Sequence, residues 1–233
     1  YRIASQLLIS ASNVKLLLDA GASILVDQNY AGVAIKISGD TGEATATVRN
    51  VEITGGRIRE AGTAGSLWTA IDLDSDAFGI SFARVHDIRI DDPGIGIRLH
   101  IDHTLSNPFV SGNMFSNLLI YHPVKGVAFG KTGSPTAKLN ANLFWGVSIQ
   151  GDANTTYGFF NVSFDRNMFF FCNAWDVNSP SEMIDIASDA TRTMVFGGLM
   201  GDNLADAGTQ SHIVTDSWNT LYYDDMRLGT FSF

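Results

Sequence analysis

One cysteine stands in 233 residues, so no intrachain disulfide can form and no cysteine-based zinc site can assemble. Cys172 sits in MFFFCN and reads as a small buried hydrophobe. Charge is also scarce, at 17% of residues, and the 15 basic side chains are outnumbered by 24 acidic ones, a net charge of −9. A net-negative surface repels a phosphate backbone, so nucleic acid is not an expected partner. No run approaches the roughly 20 consecutive apolar residues that a spanning helix needs, so membrane insertion is not expected either. Helical periodicity is nearly missing, and no Asn-Gly hairpin turn occurs. HIDH lacks the length, helix and glutamate of a zinc-protease motif, and Asp72, Asp74 and Asp76 on one strand are too spread to hold one calcium ion. No metal and no cofactor is therefore expected. The opening YRIASQLLIS has no leader pattern, and the chain begins at Tyr1, as a processed chain or an excised fragment would.

What is present is apolar and punctuated. Hydrophobic residues make up 45% of the chain, with 15 Phe and 23 Gly, enough for one domain with a real core. TATVRNVEI, GVAIKIS, AIDLD, HDIRID and GIRLHID alternate with period two, as strands do, and Gly, Asn and Asp separate them. The strands recur. One series starts at Asn13, Asn50, Asp87, Asn117 and Gly146, with steps of 37, 37, 30 and 29 residues. A second holds Ile35, Ile71, Ile97 and Val127, and a third holds Val48, Phe82, Phe115 and Phe144. Three strand types returning in order predict an all-β, single-stranded parallel β-helix with three sheets and about seven coils. A β-sandwich also has many short strands, but the ordered recurrence favours the solenoid. The coils are expected over 1–214, with 215–233 as a C-terminal capping segment using Trp218, Tyr222 and Tyr223.

NVKLLLDAGASILV, at the first coil, and TRTMVFGGLMGDN, at a late one, resemble segments of the right-handed parallel β-helix proteins of the pectate-lyase superfamily, a group that includes phage and virus tailspike domains. The resemblance implies a right-handed coil, a virion or extracellular setting, polysaccharide as the partner, and a homo-oligomer, in tailspikes a homotrimer. It also implies depolymerase activity by hydrolysis or elimination, or else a non-catalytic structural or receptor-binding role. Of the motifs in its glycosidase branch only Asp91-Asp92 has a counterpart here. His-Gly, Arg-x-Lys and the lyase segment Arg-x-x-Pro-x-x-Arg are absent.

Strand parity selects the candidate site residues. Val51, Ile53, Ile88, Ile90, Leu118, Ile120, Val147 and Ile149 should face inward, leaving Glu52 near Arg89, and Asp91 near Tyr121, on the outside. Lys36, Asp72 and Arg98 should share one outward column, and Asp74 and His100 the next. Asp72 or Asp74 could serve as acid or nucleophile of a glycosidase, while Arg98 and His100 could position charge. The plain alternative is a solvated strand face. Trp68, Tyr121 and Trp145, with Arg89 and Asp91, are the candidate sugar-binding residues, since aromatic rings offer apolar area to sugar faces. GFFNVSF and NMFFFCN are too aromatic for a solvated edge. They are expected in the core, with one face covered by another chain.

Overall fold

Alternation gives every short segment one apolar edge, and winding the chain buries those edges against each other. The computed structural model describes residues 1–40, 42–61, 67–103, 108–133, 138–177, 182–198, 204–214, 220–223 and 226–230. These form an all-β parallel solenoid of about six turns, with no helix among the described residues. Its three sheets have 15, eight and four strands. The eight-stranded sheet stacks Leu7–Ile9, Val33–Ser38, Thr69–Ser75, Ile95–His103, Lys125–Gly133, Tyr157–Val162, Glu182–Ile186 and Leu204–Asp206. The four-stranded sheet stacks Val48–Arg49, Ile80–Ser81, Phe109–Ser111 and Lys138–Asn140. Beyond His212–Val214 the strand direction alternates: Thr220–Tyr223 joins that strand antiparallel, and Met226–Thr230 joins it in turn, also antiparallel. Trp218 lies outside the described residues, as do 199–203 of the late-coil motif.

The core is a set of like residues stacked rung on rung. Ile35, Ile71, Ile97, Val127, Phe159 and Ile184 are in register and fully buried. Opposite them run Ile53, Val85, Phe115, Phe144, Phe169 and Val195. The Phe115 and Phe144 rings stack at 4.7 Å, and Phe144 and Phe169 at 4.9 Å. Each such side chain contributes about 1.5–3 kcal/mol on burial. Cys172 is buried among them, and burial pushes its thiol up to about 12.

Three corners per turn let the chain bend, and the backbone there is left-handed. At the corner after the four-stranded sheet, Asn13, Asn50, Phe82, Gly112, Ala141, Arg166, Arg192 and Gln210 all have positive φ. Their amides bond rung to rung, as Asn13 N–H does to the Arg49 carbonyl (2.9 Å) and Arg166 N–H to that of Thr191 (2.9 Å). A second corner holds Gly55, Asp87, Asn117, Gly146, Phe171 and Gly197. Just past the first corner runs a buried ladder of Asn113, Asn142 and Asn167. Asn113 Nδ2 donates to Asn142 Oδ1 (3.0 Å) and Asn142 Nδ2 to Asn167 Oδ1 (3.1 Å). Asn113 Oδ1 accepts from Ala83 N–H, and Asn167 Nδ2 reaches the carbonyls of Leu139 and Ser163. Polar groups that would be costly inside a core are thereby satisfied.

Two sequence-based alignments are corrected here. Glu52 pairs with Arg84, and Arg89 with Arg57, so the Asn50 segment stacks on the stretch around Arg84 and not on the Asp87 segment. The third series joined two sheets: Val48 and Ile80 belong to the four-stranded one, whereas Phe115 and Phe144 belong to the long one. The face beyond the first corner holds two short strands split by the second corner, and both halves read polar-apolar-polar-apolar. Alternation alone cannot tell them apart.

Candidate functional site

On the outer face of the eight-stranded sheet the expected columns are present: Lys36, Asp72 and Arg98 are in register, as are Asp74 and His100. Outward parity does not make Asp72 accessible. It is 0% exposed, and the Arg98 side chain from the next rung closes on it. Arg98 holds it bidentately, Nε to Oδ1 at 2.9 Å and Nη2 to Oδ2. Burial pushes the Asp72 carboxyl up, against the pull of the guanidinium, and the same contact raises Arg98.

Asp74 accepts from His100 Nδ1 at 2.7 Å and lies 3.4 Å from Lys36 Nζ. Burial raises its carboxyl, but the His100 bond and the surrounding cations outweigh that, and the net direction is down. The Asp74 bond raises His100, whose Nε2 sits 3.1 Å from Thr132 Oγ1. The turn after Val33–Ser38 folds back so that Asp40 and Glu43 also engage Lys36, the latter at 2.9 Å, and Ser38 Oγ donates to Glu43. The four proposed catalytic side chains thus stand together, inside an ion network that ties Asp40, Glu43, Asp72 and Asp74 to Lys36, Arg98 and His100. Asp72 is closed to solvent, whereas Asp74, His100 and Arg98 are partly accessible.

Of the proposed sugar-binding residues, Arg89, Asp91 and Tyr121 stand together, with Asp91 and Tyr121 in register on adjacent rungs as expected, whereas Trp68 and Trp145 lie elsewhere. Trp68 is a correction: it is 1% exposed, part of the core, and its carbonyl accepts from Gly94 and Ile95 N–H as the chain enters the next rung. Asp91 is also buried, held by Arg57 and by Arg89 Nε at 2.6 Å. Glu52 turns from Arg89 to Lys15, at 2.8 Å. Tyr121 lies under the Arg89 guanidinium at 5.2 Å and against the His122 ring. Trp145 is exposed, but on the far half of the long sheet.

A groove of about 600 Å³ crosses the four-stranded sheet, lined by Arg49, Phe82, Phe109, Ser111, Lys138 and Asn140 among others. Phe82 is 60% exposed with φ +57°, a backbone region that bulky side chains rarely adopt. Its ring lies over Gly112, where a Cβ would be 3.4 Å from Phe82 Cε1. The Phe109 ring occupies the space that a side chain at Gly79 would need, 2.1 Å from an added Cβ. Arg49 and Lys138 form no ion pair among the described residues. A second hollow, bounded by Asn50, Glu52 and Arg84, meets the first at Phe82. Sequence reasoning missed this groove. The positive φ at Phe82 breaks the alternation of GISFARV, and the only written signal was the glycine at 79 that leaves room for a ring.

No family model matches this chain, and neither a curated protein nor a solved structure matches it.

Proposed function

We propose that this chain recognises polysaccharide, and that the glycan lies in the groove across the four-stranded sheet. One observation carries the reading: an open groove combines two aromatic rings with cations that have no carboxylate partner among the described residues, and with hydroxyl and amide groups from Ser111 and Asn140. Aromatic faces take the apolar side of a sugar ring, and hydroxyls and amides take its rim. Phe82 supports the same reading, because it holds an unfavourable backbone conformation with its ring in solvent, a pattern typical of residues kept for binding. A tailspike-like place on a virion or in an extracellular assembly belongs to this proposal. Cleavage by Asp74 with His100 is the second reading, favoured by their mutual hydrogen bond and partial access.

The test is a glycan panel of neutral and uronate-bearing polysaccharides, with calorimetric binding and with reducing-end and unsaturated-product readouts. Phe82→Asn should weaken binding about fivefold, on the order of 1 kcal/mol of lost ring contact. It should leave stability equal or higher, because Asn tolerates the left-handed conformation and would continue the Asn13–Asn50 side-chain contact. No binding to any glycan refutes the function. Unchanged binding by Phe82→Asn refutes the location. Products that persist in Asp74→Asn dismiss the second reading.

A further inference from the structure

The lower half of the long sheet carries an outer face of unusual composition. Met114, Leu143, Met168 and Met194 stand in register in one outward column. Beside it Trp145, Phe170 and Phe196 stand in register in the next. The rings touch along the axis, Trp145 to Phe170 at 5.7 Å and Phe170 to Phe196 at 6.2 Å. None of the seven carries charge, on a chain of net −9. Met114, Trp145, Met194 and Phe196 are between 36% and 47% exposed, and the others half-buried. Phe171, itself exposed, sets its ring edge-on against Trp145 (5.5 Å) and Phe196 (6.0 Å) and widens the apolar strip.

We infer that this Met–aromatic ridge is a self-association surface, seated against the same ridge of a second copy of the chain. Area is the first argument. At the ~150–250 Å² that a large aromatic side chain can bury, partial exposure of this set leaves about 500 Å² of apolar surface. That is in the range of the largest, often functional, apolar patch of a typical monomer, roughly 300–600 Å², and, doubled across a symmetric contact, it reaches about 1,000 Å², the lower bound of a specific interface. Pitch is the second argument. The side chains repeat at the rung spacing of about 4.8 Å. A partner of unrelated fold would meet that repeat out of step, whereas a second copy has the same repeat and can interdigitate rung for rung, as two packed sheets do. Charge is the third. Two bodies of −9 repel, and an uncharged strip is where they can approach at least cost. The aromatic run that the sequence placed against another chain thus divides: Phe169 is core, and Phe170 faces the proposed partner.

Sedimentation velocity of the full chain across the micromolar range tests this. The wild type should sediment as an oligomer that dissociates on dilution. Trp145→Ser with Phe196→Ser should be monomeric at every concentration, with the wild-type circular dichroism spectrum. Trp145→Phe, which keeps an aromatic ring, should still associate. A wild type that stays monomeric overturns the inference, and so does an oligomer that the double variant leaves unchanged. If the double variant fails to fold, Met194→Gln, at the ridge edge, serves instead and should weaken association at least tenfold. An unchanged dissociation constant in that variant refutes the ridge.

Discussion

Replacing Arg98 with leucine removes the only described partner of a fully buried carboxylate, and the consequence separates structural from catalytic chemistry at Asp72. Both Asp72 oxygens are engaged by Arg98, and no part of the side chain reaches solvent. Breaking a buried pair from one side costs about 3–5 kcal/mol, because the remaining charge is uncompensated. Against a typical domain stability of about 5–15 kcal/mol that is a large fraction. Removing both charges, with Asp72→Leu and Arg98→Leu together, should return stability to within about 1 kcal/mol of wild type, since the desolvation cost disappears with the attraction. Urea unfolding followed by fluorescence and by circular dichroism measures both differences. The pH dependence adds a signed check. Burial already raises the folded-state pKa of Asp72, and loss of the guanidinium raises it further. A group raised on folding favours the folded state at low pH and loses that contribution as pH climbs through its folded value. The deficit of Arg98→Leu relative to wild type should therefore shrink on acidification. A deficit below about 1 kcal/mol, or one that grows on acidification, would refute the reasoning. So would an Asp72→Asn protein that keeps its stability and loses polysaccharide cleavage.

Two further outcomes follow from the same structure. Asn142→Leu should destabilise by about 4 kcal/mol, because it strands buried groups of Asn113, Val110 and Asn167 at once. Thr193→Val, one rung past the ladder, should be neutral or stabilising, since Thr193 Oγ1 has no partner among the described residues. Equal costs in urea melts would contradict the ladder argument. The Asp74–His100 pair should stabilise most between the carboxylate and imidazole titration ranges. His100, raised, loses its contribution as pH climbs through its folded value, and Asp74, lowered, loses its own as pH falls through its folded value. Thermal melts of His100→Gln across pH should show a flatter profile than wild type, and parallel profiles would dismiss the coupling.

The architecture was legible where strands are long. Ile35, Ile71, Ile97 and Val127 align in sequence as they stack in space, because each sits in a run with one unambiguous inner edge. The eight side chains expected inside, from Val51 to Ile149, are buried. Parity was legible as well, but parity is not exposure. Asp72 and Asp91 face outward and are still buried, engaged by arginine side chains: Arg98 for Asp72, and Arg57 and Arg89 for Asp91. Trp68 looked like a loop aromatic because it follows a glycine-punctuated stretch, and it is the first core residue of its rung instead. The Phe82 groove was not legible, since a single left-handed residue reverses which side chains share a face, and composition does not record φ.

The corner column from Asn13 to Gln210 holds one backbone shape with six residue types in it. Shape there is copied from the rung below, through its carbonyls, more than it is specified by the local residue. Such a chain grows as a crystal face does: the first layer is slow to form, and each later layer settles onto a template already laid out. Heredity is loosened by the same rule, because a corner that is cast by its neighbour can drift in sequence while the outline of the molecule stays fixed.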